Sequence, residues 1–420
     1  METREKIVII GGGFAGLQLA RKLNNKRKKV LVIDKVNHHM FQPLFYQVAC
    51  GRIEPSNISF PFRKIFQRSK NIQYRMTEVT KIIPEEKRII TEDTEFTYDK
   101  LVIATGCRTN FFGNDKMENL CFGMKNTQEA ISIRNHVLLT FEKLIIERKR
   151  SDSGNWNIVI VGSGPTGVEL AGAFAEMKAD ILPKDYPKMS FKDLKIILVS
   201  ATKHPLAVMS QEAQEKSEQY LKNMGVQFIS DHRVVDYDGD QVYLENGDTI
   251  ASNNVIWAAG VTGNIIEGLE RDQIIKNRYV VDRYNRVKGY KDIFAIGDIA
   301  YMETPKYPKG HPQVANVAIN QGKNLGRNLC RASEKDWKEY EYFDQGSMAT
   351  IGKHRAVVDL PYIKFQGIFA WYFWMFLHLM LILSVRNKIA IFFNWMWSYL
   401  NGDSSLRLII LPNRKNNTIQ

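Results

Sequence analysis

The stretch KIVIIGGGFAGLQLARKL, Lys6 to Leu23, decides the fold. The apolar, β-branched run Ile7–Ile10 predicts a buried parallel strand, and apolar residues at helical spacing follow the glycines. Gly11, Gly13 and Gly16 therefore fall on a strand-to-helix turn. Glycines there allow a tight bend, close approach of the backbone to a pyrophosphate, and close packing of the helix on the sheet.

A second strand, VLVID, ends in Asp34, whose carboxylate is suited to a pair of ribose hydroxyls. A lone G-x-G-x-x-G is weak evidence, because any glycine-rich turn can match it. Strand, glycines, helix, strand and acid in this order predict a dinucleotide site. The alternative is a tight turn with a surface acid.

The arrangement recurs in NIVIVGSGPTGVELAGAFAEM, Asn157 to Met177. Here the strand is Ile158–Val161 and the glycines are Gly162, Gly164 and Gly167. Two nucleotide-binding units in one chain predict two dinucleotides, and the economical pair is a flavin with a nicotinamide.

Three later segments each predict an apolar strand that ends in a small-residue turn and returns the chain to a nucleotide-binding sheet. They are YDKLVIATG (Tyr98–Gly106), NNVIWAAGV (Asn253–Val261) and DIFAIGDIA (Asp292–Ala300). Asp298 in the third is placed to face the ribityl and phosphate region of a flavin. A helix N-cap is the alternative role for this acid.

Composition limits the function classes. With 420 residues, 44% hydrophobic and 25% charged, the chain suits a globular protein of two or three domains. The net charge of +13 allows a nucleic acid or an anionic membrane as partner. The basic residues are scattered without a zinc-finger or RNA-binding signature, so we expect no nucleic acid and favour the membrane.

The four cysteines (Cys50, Cys107, Cys121 and Cys330) stand far apart without a CxxC pair. A metal site, an iron–sulfur cluster and a disulfide framework are therefore unsupported. The cysteine pairs that disulfide reductases and sulfide:quinone oxidoreductases need beside a flavin are also missing. The N-terminus leaves no room for a signal peptide, so we expect none.

The order GGGFAG, ATG, GSGPTGVELAG, AAG and FAIGD resembles the flavoprotein reductases that bind two dinucleotides. NHHMFQPLFYQVACG (Asn37–Gly51), LPKDYP (Leu182–Pro187), GSMATIG (Gly346–Gly352) and the aromatic C-terminus resemble type II NADH:quinone oxidoreductase, the single-subunit, non-proton-pumping NADH dehydrogenase of respiratory chains. The resemblance implies noncovalent FAD, NADH as donor and a membrane quinone as acceptor. It also implies a monotopic homodimer, peripheral on the cytoplasmic face of the cell inner membrane.

The expected fold class is α/β, with two Rossmann-like dinucleotide-binding domains and a C-terminal helical membrane-anchoring region. The expected domains are 1–115 (first part of the FAD domain), 116–153 (connecting helix region), 154–265 (NAD(P)H domain), 266–335 (second part of the FAD domain) and 336–420 (membrane-anchoring region).

The resemblance and the motifs together nominate the site residues. For FAD these are Gly11, Gly13, Phe14, Ala15, Gly16, Asp34, Lys35, Val79, Thr105, Gly106, Gly297, Asp298 and Ala315. For NAD(P)H they are Gly162, Gly164, Pro165, Thr166, Gly167, Ser200, Ala259 and Gly260. For the quinone they are Tyr46, Gln47, Asn316 and Asn320. Glu169 is the expected catalytic residue on the proton route, and its alternative role is a helix-dipole acid.

Three of these positions depart from the family pattern. HPQVANVAINQG (His311–Gly322) resembles the quinone motif AQxAxQ, with Asn316 and Asn320 where the family has glutamine. We expect quinone activity with weaker quinone affinity, because asparagine is one methylene shorter. Ser200 stands where the family places a ribose-binding glutamate, so we expect NADH to stay preferred and NADPH to be measurably accepted.

The C-terminal run Gly367–Val385 is just long enough to span a bilayer. Its Trp and Tyr residues, and those of the next segment Ile389–Leu400, favour two short helices lying in the membrane interface. A spanning helix and a buried dimer interface are the alternatives. A soluble FAD-dependent NAD(P)H oxidase or diaphorase and a non-enzymatic nicotinamide sensor remain the alternative functions.

Overall fold

The computed structural model describes residues 4–147, 155–401 and 406–411. The chain divides into two compact units, unit 1 and unit 2. Unit 1 comprises Met1–Met40, Ser59–Arg108 and Val261–Asp344; unit 2 comprises Phe41–Ile58, Thr109–Gly260 and Gln345–Gln420. The domain boundary expected between residues 153 and 154 lies outside the described residues, and the other expected boundaries stay predictions.

The α-helices of the described residues are numbered in chain order. They are α1 (Phe14–Leu23), α2 (Phe45–Ala49), α3 (Phe62–Ile65), α4 (Asp115–Leu120), α5 (Thr127–Glu147), α6 (Pro165–Glu176), α7 (Leu182–Asp185), α8 (Gln211–Asn223), α9 (Ala315–Leu329), α10 (Ile368–Leu381) and α11 (Val385–Asn401).

The strands are numbered in the same way. They are β1 (Lys6–Ile10), β2 (Lys29–Asp34), β3 (His38–Met40), β4 (Ser59–Pro61), β5 (Ile72–Met76), β6 (Val79–Ile83), β7 (Arg88–Thr91), β8 (Glu95–Thr97), β9 (Lys100–Ile103), β10 (Cys107–Thr109), β11 (Ile158–Val161), β12 (Ile196–Val199), β13 (Val226–Ile229), β14 (Val234–Tyr237), β15 (Gln241–Leu244), β16 (Thr249–Ala251), β17 (Asn254–Trp257), β18 (Val261–Gly263), β19 (Ile274–Ile275), β20 (Arg278–Val280), β21 (Ile293–Ala295), β22 (Ala300–Tyr301), β23 (Ser347–Thr350), β24 (Ala356–Asp359) and β25 (Lys364–Gly367).

Unit 1 contains a parallel sheet in the order β21-β9-β1-β2-β5. Strand β1 lies in the middle and is almost fully buried, as expected for a parallel strand covered on both faces. The carboxyl ends of β1, β2, β9 and β21 share one edge of the sheet, which brings the predicted FAD residues that follow these strands to the same edge.

Helix α9 packs closely against α1 in unit 1. A Cβ atom on Gly322 would lie 2.3 Å from the carbonyl oxygen of Ala15, and one on Gly326 would lie 2.6 Å from Cβ of Lys22. Because such contacts are impossible, glycine is required at both positions for the two helices to approach this closely.

Unit 2 contains a second parallel sheet, in the order β13-β12-β11-β17. Helix α6 follows β11 through the second glycine turn and packs against β23. A Cβ atom on Gly172 of α6 would lie 2.7 Å from the backbone nitrogen of Gly352. The small residue therefore lets the segment after β23 approach the helix.

The C-terminal part of unit 2 is an antiparallel sheet, β23-β24-β25, followed by α10 and α11. Helix α10 buries Ala370, Trp371 and Trp374, while α11 buries Ile391 and Trp395. Among the described residues, no helix combines the length and the apolar character needed to cross a membrane.

The structure confirms the α/β class and the two Rossmann-like sheets. Each predicted strand that leads into or returns to a nucleotide turn is present: β1, β2, β9, β11, β17 and β21. The two aromatic C-terminal segments are separate helices, as expected.

Candidate functional site

The first glycine turn, between β1 and α1, has room for a phosphate group. Gly11 has φ +102°, and a Cβ atom there would lie 2.3 Å from the carbonyl oxygen of Ala104. A Cβ on Gly16 would lie 1.9 Å from the carbonyl oxygen of Gly11, whereas Gly13 faces open space. Helix α1 has no acidic residue in its first turn and no side-chain cap, so its N-terminal N–H groups suit an anion.

Asp34 lies at the end of β2, beside this turn. Its carboxylate accepts the backbone N–H of Gly12 at 2.7 Å and that of Val36 at 3.0 Å. Burial raises the pKa of this carboxyl, and the two N–H donors partly offset the rise. A carboxylate offers about four acceptor sites, so Asp34 keeps capacity for ribose hydroxyls. His39 forms a hydrogen bond with the Gly12 carbonyl at 2.9 Å.

The other predicted FAD residues also belong to unit 1. The Thr105 hydroxyl donates to the Asn264 carbonyl at 2.7 Å, and the Asp298 carboxylate accepts the thiol of Cys107 at 2.9 Å. The N–H of Gly297 donates to Oε1 of Gln321 at 2.7 Å, a contact that the sequence did not indicate.

Three further nominated residues are less clearly placed for a cofactor. Lys35 is exposed and pairs with Glu78 at 3.7 Å. Val79 opens β6 and is buried in the apolar core of unit 1, and Ala315 is the first residue of α9. The glycine cradle, the open space at Gly13 and the acid at the end of β2 nevertheless fit the pyrophosphate and ribose of FAD.

The second glycine turn, between β11 and α6, repeats this geometry in unit 2. Gly162 has φ +106°, and a Cβ atom there would lie 2.6 Å from Cα of Ala259. A Cβ on Gly167 would lie 1.8 Å from the carbonyl oxygen of Gly162, and Gly164 faces open space. Pro165 occupies the first turn of α6, where its missing N–H costs no hydrogen bond. The turn therefore has the geometry that suits a second dinucleotide.

Ser200 lies directly after β12, beside this second turn. Its hydroxyl is buried, 2.6 Å from that of Ser163 and 2.9 Å from that of Thr202. His204 pairs with Glu218 at 2.9 Å, and Lys203 is exposed. The position at which a carboxylate would meet an adenosine ribose thus holds neutral hydroxyls.

Glu169 lies one turn into α6 and is buried. Its hydrogen bond among the described residues comes from the Thr350 N–H to Oε1 at 3.4 Å. Burial raises the pKa of this carboxyl to about 8, and the Thr350 N–H offsets part of the rise. Burial therefore favours the protonated form of Glu169 near neutral pH more than it would for a surface helix-dipole acid.

Tyr46 and Gln47 are buried in α2 and connect Glu169 to the C-terminal helices of unit 2. The hydroxyls of Tyr46 and Thr350 lie 3.0 Å apart, and the Gln47 amide donates to Tyr46 at 2.9 Å. Trp395 donates its indole N–H to the Gln47 carbonyl at 2.8 Å. Sequence reasoning placed the tryptophans of Ile389–Leu400 in the membrane interface, whereas Trp395 is buried. It gave Thr350 no role, since Thr350 is far from its partners along the chain.

The remaining quinone residues, Asn316 and Asn320, belong to unit 1. They lie four residues apart on α9 and are both partly exposed, so they share one face of the helix. In the described ranges the four cysteines form no disulfide, and no group of metal-ligating side chains is assembled.

Comparison with known proteins identifies the family. The model for pyridine nucleotide-disulphide oxidoreductases matches residues 5–322, and that for the NDH2 C-terminal domain matches residues 345–403. The chain is 31% identical to the type II NADH:quinone oxidoreductase Ndh of Mycobacterium tuberculosis, over 95% of this chain and 89% of the relative. The chain belongs to the type II NADH:quinone oxidoreductase family.

Solved structures agree at the level of the fold. NDH2 from Plasmodium falciparum in complex with NADH matches with a TM-score of 0.90 and 21% identity, over 97% of this chain and 100% of that one. The sulfide:quinone oxidoreductase of Aquifex aeolicus matches with a TM-score of 0.71 and 19% identity, over 97% and 96%. These matches confirm three predictions from the sequence. They are the type II NADH:quinone oxidoreductase family, the fold that binds two dinucleotides, and the flavoprotein class.

Proposed function

We propose that the protein oxidises NADH and reduces a membrane quinone through bound FAD, without pumping protons. The observation that carries this proposal is the buried carboxyl of Glu169, which accepts the Thr350 N–H and lies two residues after the second nucleotide turn in a chain of this family. Bound FAD would accept a hydride from the nicotinamide and pass two electrons to the quinone. The protein's own residues would bind the cofactor and the substrates, orient them and supply a proton.

In unit 1 the turn from Gly11 to Gly16 would hold the FAD pyrophosphate, and Asp34 would hold a ribose. Thr105, Gly106, Gly297 and Asp298 follow β9 and β21 at the same sheet edge. The remaining proposed FAD residues are Phe14, Ala15, Lys35, Val79 and Ala315.

In unit 2 the second turn would hold NADH. Gly162, Gly164 and Gly167 shape the phosphate site, and Ser200 would meet the adenosine ribose. Pro165, Thr166, Ala259 and Gly260 complete the proposed set. NADH would remain the preferred donor, with NADPH accepted, because a serine repels no 2′-phosphate and a lone nearby lysine recognises one poorly.

Glu169 would give its proton to a quinone oxygen as that oxygen gains negative charge. A carboxyl with a pKa of about 8 is well suited to donate a proton near neutral pH. Tyr46, Gln47, Asn316 and Asn320 are the proposed quinone residues. The asparagines keep the donors and the acceptor of glutamine with a shorter reach, so quinone affinity is expected to be below the family norm.

The exposed surface of α10 and α11 would dock on a lipid bilayer in the plane of the interface. No acidic residue occurs from Lys364 to Asn401, while Arg386 and Lys388 could meet anionic headgroups. The apolar surface of α10 and α11 is far larger than the surface that scattered exposed apolar residues would form. Its members are Ile368, Phe369, Tyr372, Phe373, Phe376, Met380, Leu381, Val385, Ile389, Phe392, Phe393, Met396 and Trp397. The cytoplasmic face of the inner membrane and the homodimer rest on the family resemblance.

The decisive experiment replaces Phe369, Phe376 and Phe393 together by serine. Losing three exposed rings that would be buried in the bilayer should weaken binding to anionic vesicles and turnover of a long-chain quinone at least about tenfold. Flavin content and NADH:ferricyanide turnover should stay unchanged. Phe343→Ser, an exposed phenylalanine of unit 1, is the matched control and should behave as wild type. A soluble diaphorase would show no vesicle binding in any variant, and a sensor would turn over slowly with every acceptor.

A further inference from the structure

A four-residue turn in unit 2 holds a phenylalanine in a backbone conformation that its residue type disfavours. The turn runs from Phe111 to Asn114, and the Asn114 N–H donates to the Phe111 carbonyl at 3.1 Å. Its two central residues, Phe112 and Gly113, have φ values of +54° and +81°. These are the values of a type I′ turn, in which asparagine and glycine are the preferred central residues. Gly113 fits that preference and Phe112 does not.

The core of unit 2 makes little use of the Phe112 side chain. Phe112 is 67% exposed, whereas its neighbour Phe111 is buried and packs against Trp257 in the core around the second parallel sheet. A single exposed apolar residue is common and needs no explanation. A bulky residue with positive φ, however, costs conformational energy. A side chain that strains the backbone without filling the core is therefore a candidate for a functional role.

Hydrogen bonds hold this turn at the carboxyl end of β17. The Trp257 indole N–H donates to the Asn110 carbonyl at 2.8 Å, and the Asn110 N–H donates to the Gly260 carbonyl at 3.1 Å. The Asn110 side chain accepts the Phe112 N–H at 2.9 Å. A Cβ atom on Gly260 would lie 3.4 Å from Cζ of Phe112, so the tip of the ring lies beside Gly260.

The strand order indicates which half of a dinucleotide would reach this ring. In the sheet β13-β12-β11-β17, β12 lies on one side of β11 and β17 lies on the other. The pyrophosphate would lie at the turn after β11, and the adenosine ribose would meet Ser200 after β12. The nicotinamide half would then extend toward the end of β17. The turn and this end are adjacent, because a Cβ atom on Gly162 would lie 2.6 Å from Cα of Ala259.

We propose that the Phe112 ring contacts the nicotinamide half of bound NADH and holds it at the end of β17. This inference rests on the proposed function, in which the second glycine turn binds NADH. An exposed aromatic ring can pack against the planar nicotinamide, which removes apolar surface of both groups from water. Phe112 thereby adds affinity for the dinucleotide and takes no part in the transfer of the hydride.

Phe112→Asn separates this role from a structural one. Asparagine is preferred at this turn position, so the substitution relieves strain and should raise the melting temperature by about 2 °C. It also removes the ring, so NAD⁺ should bind at least about fivefold more weakly. Calorimetry on the FAD-loaded protein measures this affinity, and NAD⁺ is the probe because it does not reduce the flavin. A ring that only supported the fold would lower the melting temperature on removal and leave the affinity unchanged.

Reduction of the bound flavin by NADH, followed without oxygen by its loss of absorbance, repeats the comparison without quinone. In Phe112→Asn the NADH concentration that gives the half-maximal rate should rise at least about fivefold. The limiting rate should change less, because the lost contact belongs to binding. Phe112→Tyr keeps the aromatic ring and should behave as wild type in both measurements.

ADP tests which half of the dinucleotide the ring contacts. It carries the adenosine half and lacks nicotinamide, so its Kd should be the same in Phe112→Asn and wild type. Phe343→Asn is the matched control, because Phe343 is an exposed phenylalanine of unit 1 whose φ is not positive. It should change neither the melting temperature nor the affinity for NAD⁺.

Three results would overturn the inference. They are an unchanged affinity of Phe112→Asn for NAD⁺, a lower melting temperature of this variant, and a loss of ADP affinity equal to the loss of NAD⁺ affinity. If NADH does not reduce the flavin of the wild-type protein, the proposed function fails instead, whatever the affinities of the variants are.

Discussion

The two glycine turns have nearly the same backbone and different chemistry. Gly11 and Gly162 have φ values of +102° and +106°, and each is approached by a glycine five residues later. Gly12 of the first turn bonds a carboxylate, that of Asp34, at 2.7 Å. Ser163 holds the equivalent place in the second turn and bonds the hydroxyl of Ser200 at 2.6 Å.

This difference separates the residues that the backbone conformation requires from the residue that can vary with the ligand. Glycines at the first and last motif positions are required in both turns, because any side chain would meet backbone atoms. The residue after the second strand is free to vary. Here it is a carboxylate in the first turn and a hydroxyl in the second.

Replacing the carboxylate of the first turn should have the broadest effect, because both proposed half-reactions need bound flavin. Asp34→Ala removes the proposed ribose acceptor and leaves the Gly12 N–H without its partner, so the protein should purify with at least about tenfold less flavin. Visible absorbance per protein measures this directly. Ser200→Ala, the matching change in the second turn, should retain full flavin. Full flavin in Asp34→Ala would remove Asp34 from the site.

A second difference lies two residues after the last glycine of each turn. The first turn has Gln18, partly exposed, and the second has the buried Glu169. Glu169→Gln makes the turns alike at this position. Quinone turnover should fall about hundredfold, as for loss of a general acid, and the alkaline limb near pH 8 should vanish. Ferricyanide reduction is the control, and an unchanged quinone pH profile would refute the role of Glu169.

The same substitution should change how stability depends on pH. Burial raises the pKa of Glu169 to about 8 from its ordinary value of 4.5. Between these values the folded protein keeps a proton that the unfolded chain has lost, so stability falls as the pH rises through this window. The melting temperature of Glu169→Gln, measured relative to that of wild type, should therefore rise from pH 5 to pH 8. A difference in melting temperature that does not change with pH would mean that the pKa of Glu169 is not raised in the folded protein.

The sequence was sufficient for the parts of the molecule that depend on short spacings. Both glycine turns, the strands around them and Asp34 follow from a local pattern of apolar residues, glycines and an acid. Contacts between distant segments were not predictable in the same way. Nothing near Trp395 indicates that its indole meets Gln47, and nothing near Gln321 indicates that it receives the Gly297 N–H.

The smallest effect should come from restoring an acid to the second turn. In wild type the Ser200 hydroxyl offers no charge to a 2′-phosphate, and Lys203 is exposed nearby in the sequence. Ser200→Glu should lower kcat/KM for NADPH at least about tenfold, equal to about 1.4 kcal/mol of discrimination, and affect NADH much less. Ser200→Gln, similar in size and uncharged, separates repulsion from crowding at this buried site. If wild type already rejects NADPH as strongly as Ser200→Glu does, Ser200 does not meet the ribose, and the two turns would differ in more than one carboxylate.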